Sequence, residues 1–170
     1  MSRFTVMVAL LALLLSGCGY RLQGRSDALP GDVRSLYVEL FRNDSYEPYL
    51  ENSITNEVVG RFARHDRLEI VEQPAQAEGI LGGRIVGYSN SALSYDSDDN
   101  IAEYRSKMTV EGVLRRVDNG EVLWKGTVAW QEDYPVSSDK ALQDDREQLA
   151  ILEISQRLAD ELFSHMIDNF

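Results

Sequence analysis

The residue whose surroundings indicate a specific reaction is Cys18, the only cysteine among 170 residues. It ends the segment Leu15-Ser16-Gly17-Cys18, in which an aliphatic residue and two small residues precede the thiol. This order is typical of a lipobox, because small residues let a signal peptidase approach the backbone and the thiol accepts a diacylglycerol. The apolar run Phe4–Leu15 is shorter than the ~20 residues that a membrane span needs, and it has the size of a signal-peptide core. We therefore predict a signal peptide over residues 1–17 and a covalent lipid on Cys18.

The residues after Cys18 predict where the lipid holds the protein. Gly19 follows the cysteine, whereas an aspartate there would favour retention at the inner membrane. Two or more acyl chains make a stable anchor. We therefore predict a lipid-anchored protein of the outer membrane that faces the periplasm. Residues 18–34 are interpreted as the lipidated N-terminus and tether, and residues 35–170 as the folded domain.

A second group of chemically suggestive residues is basic and falls on one expected sheet face. Three of them are separated by even numbers of residues on one strand and therefore point to the same side, and the fourth can join them from the neighbouring strand. These four candidate contacts for a phosphorylated glycolipid are Arg105, Lys107, Arg115 and Arg84. The alternative is cross-strand charge pairing, for which the acidic candidates are Glu111, Glu121 and Glu132.

Other reactive constellations are missing from the sequence. The acidic run Asp96–Asn100 fails the EF-hand spacing, since Ile101 and Lys107 stand where a glycine and a bidentate glutamate belong. We therefore predict a solvated loop tip and assign no metal ligands, with a weak divalent-cation site as the alternative for this loop. No serine or cysteine nucleophile with a base and no phosphate-binding glycine loop is found, so we predict a non-enzyme without a cofactor beyond the lipid. A net charge of −11 argues against nucleic-acid binding.

The first part of the domain predicts a strand–helix–strand unit. Ser35–Phe41 alternates Leu36, Val38 and Leu40 against larger or polar residues, which indicates a strand. A helix follows, whose apolar stripe recurs every four residues: Leu50, Ile54, Val58 and Phe62. Gly60 inside this helix is interpreted as a close contact with the sheet. A second strand is predicted within Arg67–Glu72.

The second part predicts a three-stranded meander and a long helix. The expected strands are Ile80–Tyr88, Glu103–Arg116 and Val122–Tyr134, with Ser89–Asn100 as a loop and Asp118–Gly120 as a hairpin turn. Val122, Trp124, Val128 and Trp130 are expected to share one face of the last strand. The final helix is expected to run to about Ile167, capped by Ser137 or Ser138. Together the elements predict an α+β two-layer sandwich, whose mixed, mostly antiparallel sheet is covered on one face by two amphipathic helices.

Several segments, in this order and spacing, resemble the LptE family of lipopolysaccharide-assembly lipoproteins. They are Cys18–Leu22, Leu29-Pro30, Phe41–Asn43 with Tyr46–Pro48, Arg67–Val71, Ala102–Val110 and Gly120–Trp124. The resemblance implies an outer-membrane lipoprotein of Gram-negative bacteria that plugs the LptD β-barrel, helps it fold and binds lipopolysaccharide. It also implies two helices on a mostly antiparallel sheet. The expected barrel contacts are Tyr88, Tyr95 and Tyr104.

One segment departs from the family pattern, and one alternative function remains. The loop Ser94–Asp99 is acidic where a lipopolysaccharide-binding tip is expected to be basic, which favours the plug role over electropositive lipid binding. The alternative is an envelope lipoprotein that regulates a periplasmic cell-wall synthase, similar to LpoB, or that serves a secretion system. Residues 19–34 reach only about 55 Å when extended, which favours a partner at the membrane.

Overall fold

The computed structural model describes residues 28–168, so the predicted signal peptide and Cys18 lie outside the described residues. It contains one six-stranded sheet and two long helices. The strands are β1 (Ser35–Val38), β2 (Arg42–Asn43), β3 (Glu69–Ile70), β4 (Gly79–Tyr95), β5 (Ile101–Arg116) and β6 (Val122–Pro135). The helices are α1 (Leu50–Ala63) and α2 (Lys140–Asp168). Short 3-10 helices span Pro30–Asp32 and Pro74–Gln76.

The sheet is mixed, as the sequence predicted. Its order is β3-β1-β4-β5-β6, and β2 also pairs with β4. The short strands β1, β2 and β3 pair in parallel, while β4, β5 and β6 form a long antiparallel meander. Both helices contribute to one core with the inward residues of the strands. The two-layer α+β sandwich is therefore confirmed.

The first strand is shorter than the pattern suggested. β1 ends at Val38, and β2 begins only at Arg42. Between them Leu40 is 62% exposed, whereas Phe41 is 1% exposed. The alternation that groups Leu40 with Leu36 and Val38 therefore fails at this end, because the break between the strands turns Phe41 into the core instead.

Helix α1 follows its predicted apolar stripe. Leu50, Ile54, Val58 and Phe62 are all at most 1% exposed, and the helix ends at Ala63. The expected role of Gly60 was wrong, since a Cβ there would have no heavy atom within 4 Å. Gly60 therefore leaves open space next to the helix and makes no close contact with the sheet.

Strand β4 extends much further than expected, to Tyr95, whereas β5 begins only two residues earlier than expected, at Ile101. Residues 89–95 continue β4, although the sequence predicted a loop over Ser89–Asn100. These residues are mostly polar and so lack the alternation of apolar side chains that predicts a strand. Their backbone pairing with β5 holds them extended. Bulges near Val86 and Leu93 interrupt the register. Each bulge moves the following side chains to the opposite sheet face.

The β5–β6 hairpin and α2 bring two further corrections. Val122 is 46% exposed, whereas Trp124 is 7% exposed. A register shift at this point pairs Leu114 with Trp124 but Arg115 with Val122, which puts Val122 on the open face. At the start of α2 the carboxylate of Asp139 accepts hydrogen bonds from the backbone amides of Ala141 and Leu142. Asp139, not a serine, therefore caps this helix.

Residues ahead of β1 also belong to the packed body. Leu29 and Val33 are each 3% exposed and join the core. The turn between them uses Gly31 at φ 73°, a conformation that glycine adopts at low cost. The C-terminal part of the predicted tether therefore folds against the domain. Within residues 28–168, no helix is long and apolar enough to cross a membrane.

Candidate functional site

The sheet face opposite the helices is the first candidate surface, and it holds all four predicted basic residues. Along β5, Met108, Val110 and Leu114 point into the core. Strict alternation then puts Arg105, Lys107 and Arg115 on the other face. Arg84 of β4 lies opposite Glu111 of β5 on that same face.

Arg84 belongs to a chain of alternating charges. Its Nε donates to Glu111 Oε1 at 3.1 Å and its Nη1 to Asp44 Oδ2 at 3.3 Å. Arg42 pairs with the other side of Asp44 at 2.7 Å, and Lys125 pairs with Glu111 at 3.2 Å. Hydrogen bonds from Arg42 and Arg84 hold the pKa values of Asp44 and Glu111 below their usual range. These charges are therefore largely satisfied within the protein.

Arg105 is paired in the same manner. Its Nε and Nη2 donate to the two carboxylate oxygens of Asp133 on β6, at 2.6 and 2.7 Å. This fork geometry is the strong form of an arginine–carboxylate pair. The hydrogen bonds from Arg105 lower the pKa of Asp133. Glu111 was among the predicted partners, while Asp133 was not.

Lys107 and Arg115 differ from the other two candidates. Within residues 28–168, neither side chain has an ion pair or hydrogen bond, and both residues are exposed. They stand eight residues apart on one strand, a separation of about 26 Å. The structure therefore contains two separated unpaired cations on this face and no continuous basic patch.

The open face is indented near Arg115. A shallow cavity of about 460 Å³ has Gly82 in its floor and both signs of charge in its walls, including Glu39, Arg84 and Glu111. A Cβ on Gly82 would lie 2.5 Å from Glu39 Oε2. The absence of a side chain at Gly82 therefore provides the space that the Glu39 carboxylate occupies. The walls carry four arginines, Arg42, Arg84, Arg115 and Arg116, against the two glutamates, so the cavity is polar with an excess of positive charge.

The three tyrosines proposed as barrel contacts do not share one surface. The bulge near Val86 turns Tyr88 towards the helix layer, where its hydroxyl donates to Glu147 Oε1 at 2.8 Å and shares a 2.8 Å hydrogen bond with Ser106 Oγ. Burial raises the pKa of this hydroxyl. Tyr104 stacks on Tyr134 with 6.0 Å between ring centroids. Tyr95, 62% exposed, is the one whose ring is free for a partner.

The hairpin tip is organised by Asp96. Its Oδ1 accepts backbone hydrogen bonds from Asp98 at 2.8 Å and Asn100 at 3.0 Å. The hydrogen bond from Asn100 is the main cause that lowers the pKa of Asp96. Within residues 28–168, no group of three or more histidine, cysteine or carboxylate side chains could hold a metal ion.

A second candidate surface was missed by the sequence reasoning. A cleft of about 360 Å³ lies between the N-terminal end of α1 and the first half of α2. Its walls are Glu47, Pro48, Tyr49, Leu50, Ser53, Asp144, Glu147, Gln148 and Ile151. Three of these carry carboxylates and none carries a positive charge. Burial raises the pKa of Glu47, and the nearby Glu147 adds to this effect.

Three large side chains between β1 and α1 are exposed, and one of them, Tyr49, lines the cleft. Tyr46, Tyr49 and Leu40 are 107%, 74% and 62% exposed, and Tyr49 adopts φ 66°. Positive φ is costly for a bulky residue and is concentrated at functional sites. The only sequence signal was the segment Tyr46–Pro48, which was noted as part of the family resemblance and given no role.

Comparison with known proteins agrees with this architecture. A model of the LptE family, described as lipopolysaccharide-assembly, matches residues 33–166. Rare lipoprotein B from Shewanella oneidensis is 22% identical with a TM-score of 0.54, covering 76% of this chain and 94% of its own. Lipoprotein B from Nitrosomonas europaea is 16% identical with a TM-score of 0.55, covering 85% of this chain and 88% of its own. At these identities the likeness concerns the fold. No curated protein matches the sequence significantly.

Proposed function

Because this chain belongs to the LptE lipopolysaccharide-assembly family, we propose that it is a non-catalytic plug and assembly factor for the LptD β-barrel of the outer membrane. The observation that carries the proposal is the family match over residues 33–166. A lipid on Cys18 holds the protein at the inner leaflet, with the folded domain on the periplasmic side. From there the domain enters the barrel, whose wall it contacts with its open sheet face and loops.

The open face supports a plug role by its chemistry. Arg84 and Arg105 on this face are paired with carboxylates, whereas Lys107 and Arg115 keep separate positive charges, so the surface is polar and carries no continuous basic patch. A plug of a wide outer-membrane barrel meets a polar lumen, because lumen-facing and lipid-facing residues alternate along barrel strands. Tyr95 at the hairpin tip offers an exposed aromatic contact, of the kind enriched in protein interfaces.

Co-purification tests the plug role. A tagged full-length protein, solubilised from Gram-negative membranes in mild detergent, is expected to bring down LptD in about equal molar amount. A Cys18→Ser variant, which cannot be lipidated, is expected to lose its place in the outer-membrane fraction. Recovery without any large outer-membrane barrel refutes the proposal. Recovery with a cell-wall synthase would instead support the LpoB-like alternative.

For lipopolysaccharide binding we assign the contacts to Lys107 and Arg115. Their charges are unpaired, whereas Arg84 and Arg105 already bind carboxylates. A phosphate group gains most from a cation that has no competing partner. Titration of purified lipopolysaccharide into the detergent-solubilised protein is expected to show weaker binding for Lys107→Gln/Arg115→Gln. Arg64→Gln, at the far end of α1, is the matched control and is expected to bind as the parent does.

A further inference from the structure

The distal half of β4 has a free edge. β2 pairs with β4 only at Arg84 and Ile85, and the last backbone bond on that side runs from the Asp44 amide to the Ile85 carbonyl. Residues 87–92 remain in regular register with β5 on their other side. No further strand pairs with this six-residue segment within the described residues 28–168. Its outward backbone groups can therefore accept another strand.

The composition of this edge favours pairing. From Ile85 to Tyr95 no residue is charged, in a chain of which 26% of residues are charged. Strand β6, which forms one end of the sheet, carries Lys125, Glu132 and Asp133 and ends at Pro135. Charges and proline are the usual means by which a protein blocks an edge against pairing. The β4 edge between its two bulges lacks both.

The acidic cleft lies beside this edge on the helix side. Glu147 lines the cleft and also accepts the hydrogen bond from Tyr88 of β4. Tyr88 points to the helix layer, opposite Met108, so alternate side chains of an added strand would point the same way. There they would meet apolar walls from Pro48 and Ile151 and the carboxylates of the cleft.

We propose that residues 87–92 of β4 receive an extended segment of a partner protein by strand addition, and that a lysine or arginine of this segment occupies the acidic cleft. Backbone hydrogen bonds supply affinity in this binding mode, and side-chain pockets supply specificity. Among the residues that the structure describes, Glu47 has no ion pair and Asp144 is paired only with the exposed Lys140, so the cleft favours a cation. The inference concerns the shape and charge of the segment, whichever envelope protein supplies it, and so goes beyond the barrel proposal.

Site-specific photocrosslinking in cells tests the strand addition. The photoreactive residue p-benzoylphenylalanine replaces Ser89 or Ser91, both exposed on β4, in the full-length chain. The matched controls place it at Thr127 or Ala129, both exposed on β6. We expect adducts at positions 89 and 91 to map to one contiguous, lysine- or arginine-containing segment of a single partner, with the contact shifted by about two residues between them.

Other crosslinking results contradict the inference. Yields at 89 and 91 no higher than at 127 and 129 would overturn it. Adducts to a second copy of this chain would overturn it as well, because the occupant would then be this protein itself. If LptD does not co-purify but a basic extended segment of another protein is crosslinked, the strand-addition inference stands and the barrel proposal fails.

Charge removal in the cleft tests the cationic side chain separately. In a Glu47→Gln/Asp144→Asn background, the yield at position 89 is expected to fall about fivefold, which corresponds to ~1 kcal/mol of lost charge pairing. An Asp118→Asn/Glu121→Gln background removes the same charge at the β5–β6 turn and is expected to leave the yield unchanged. Both backgrounds are checked for an unchanged unfolding temperature. If the crosslinking yield at position 89 is the same in the cleft variant and in the turn variant, no lysine or arginine occupies the cleft and the proposal is overturned.

Discussion

The hydroxyl of Tyr88 is expected to lock the distal hairpin to α2, and Tyr88→Phe tests this. The substitution removes the 2.8 Å hydrogen bonds to Ser106 and Glu147 and keeps the ring. Ser106 is fully buried, so its hydroxyl loses a partner that water replaces poorly. A neutral hydrogen bond contributes about 1 kcal/mol and one to a charged group about 1.5–3 kcal/mol. Since Glu147 remains partly open to water, we expect a loss of about 2 kcal/mol in the free energy of unfolding.

Urea titration followed by circular dichroism measures this loss. At the size of this domain, ~2 kcal/mol corresponds to a fall of about 6 °C in the unfolding midpoint. Tyr95→Phe is the matched control, because Tyr95 is 62% exposed, and it is expected to change stability by less than ~0.5 kcal/mol. A double-mutant cycle with Glu147→Ala is expected to give a coupling of about 1 kcal/mol.

Two results would refute the reasoning about Tyr88. A loss below ~0.5 kcal/mol for Tyr88→Phe, equal to that of the control, means that the hydroxyl contributes no net stability. Additive effects of Tyr88→Phe and Glu147→Ala mean that the two side chains do not act through a shared hydrogen bond. In either case the link between β4 and the acidic cleft loses its physical basis.

The remaining predictions concern glycines and carboxylates. Gly60→Ala is expected to stabilise the domain by ~0.5–1 kcal/mol in urea titration, because an added Cβ enters open space within a helix. Gly83→Ala is expected to destabilise it, because its Cβ would come within 2.5 Å of the Glu111 carbonyl oxygen. The Arg105 pair lowers the pKa of Asp133 in the folded state, so its stabilising effect is present above the ordinary aspartate pKa and is lost as pH falls through the lowered value. Arg105→Gln is therefore expected to flatten the acid limb of stability against pH. Burial raises the pKa of Glu47, so the stability that its protonated form contributes at low pH is lost as pH rises through the raised value. The stability of Glu47→Gln minus that of the parent protein is therefore expected to be larger at pH 7 than at pH 4.

The lowered pKa of Asp133 and the raised pKa of Glu47 have different physical causes on the two sides of the molecule. On the open face each lowered carboxyl pKa comes from an arginine or lysine within hydrogen-bond distance. In the cleft the raised carboxyl pKa comes from burial and a neighbouring carboxylate. On the open face Arg84 and Arg105 are thus paired within the protein, while Lys107 and Arg115 are unpaired among the described residues. In the cleft, Glu47 keeps the negative charge that the proposed partner segment would neutralise.

The sequence predicted the elements whose residues alternate or repeat strongly. The apolar stripe of α1 lies in the core as expected, and the alternate residues Met108, Val110 and Leu114 of β5 are buried with it. Burial of apolar side chains is the dominant stabilising effect, so a regular apolar pattern specifies both the type of element and its inward face. The sequence patterns likewise indicated the α+β sandwich, and the motifs indicated the family.

The sequence alone did not predict where the polar strands end or which way their side chains point. Residues 89–95 carry little apolar pattern and are held as a strand by pairing with β5, a long-range interaction that leaves no local signal. The bulge near Val86 reverses the orientation of Tyr88, and the register shift at Leu123 exposes Val122. Such shifts arise when two complete strands are fitted together.

The sequence by itself determined a lipobox motif, a family and a two-layer α+β plan, because these depend on local motifs and on hydrophobic periodicity. The tertiary structure decided which charges are paired and which surfaces are open. Arg84 and Arg105 looked like ligand contacts, but neighbouring strands bring Glu111 and Asp133 within hydrogen-bond distance of them. The acidic cleft joins residues about a hundred positions apart, Glu47 and Glu147. Its charge depends on distances between chain segments, and these distances exist only once the helices have packed on the sheet.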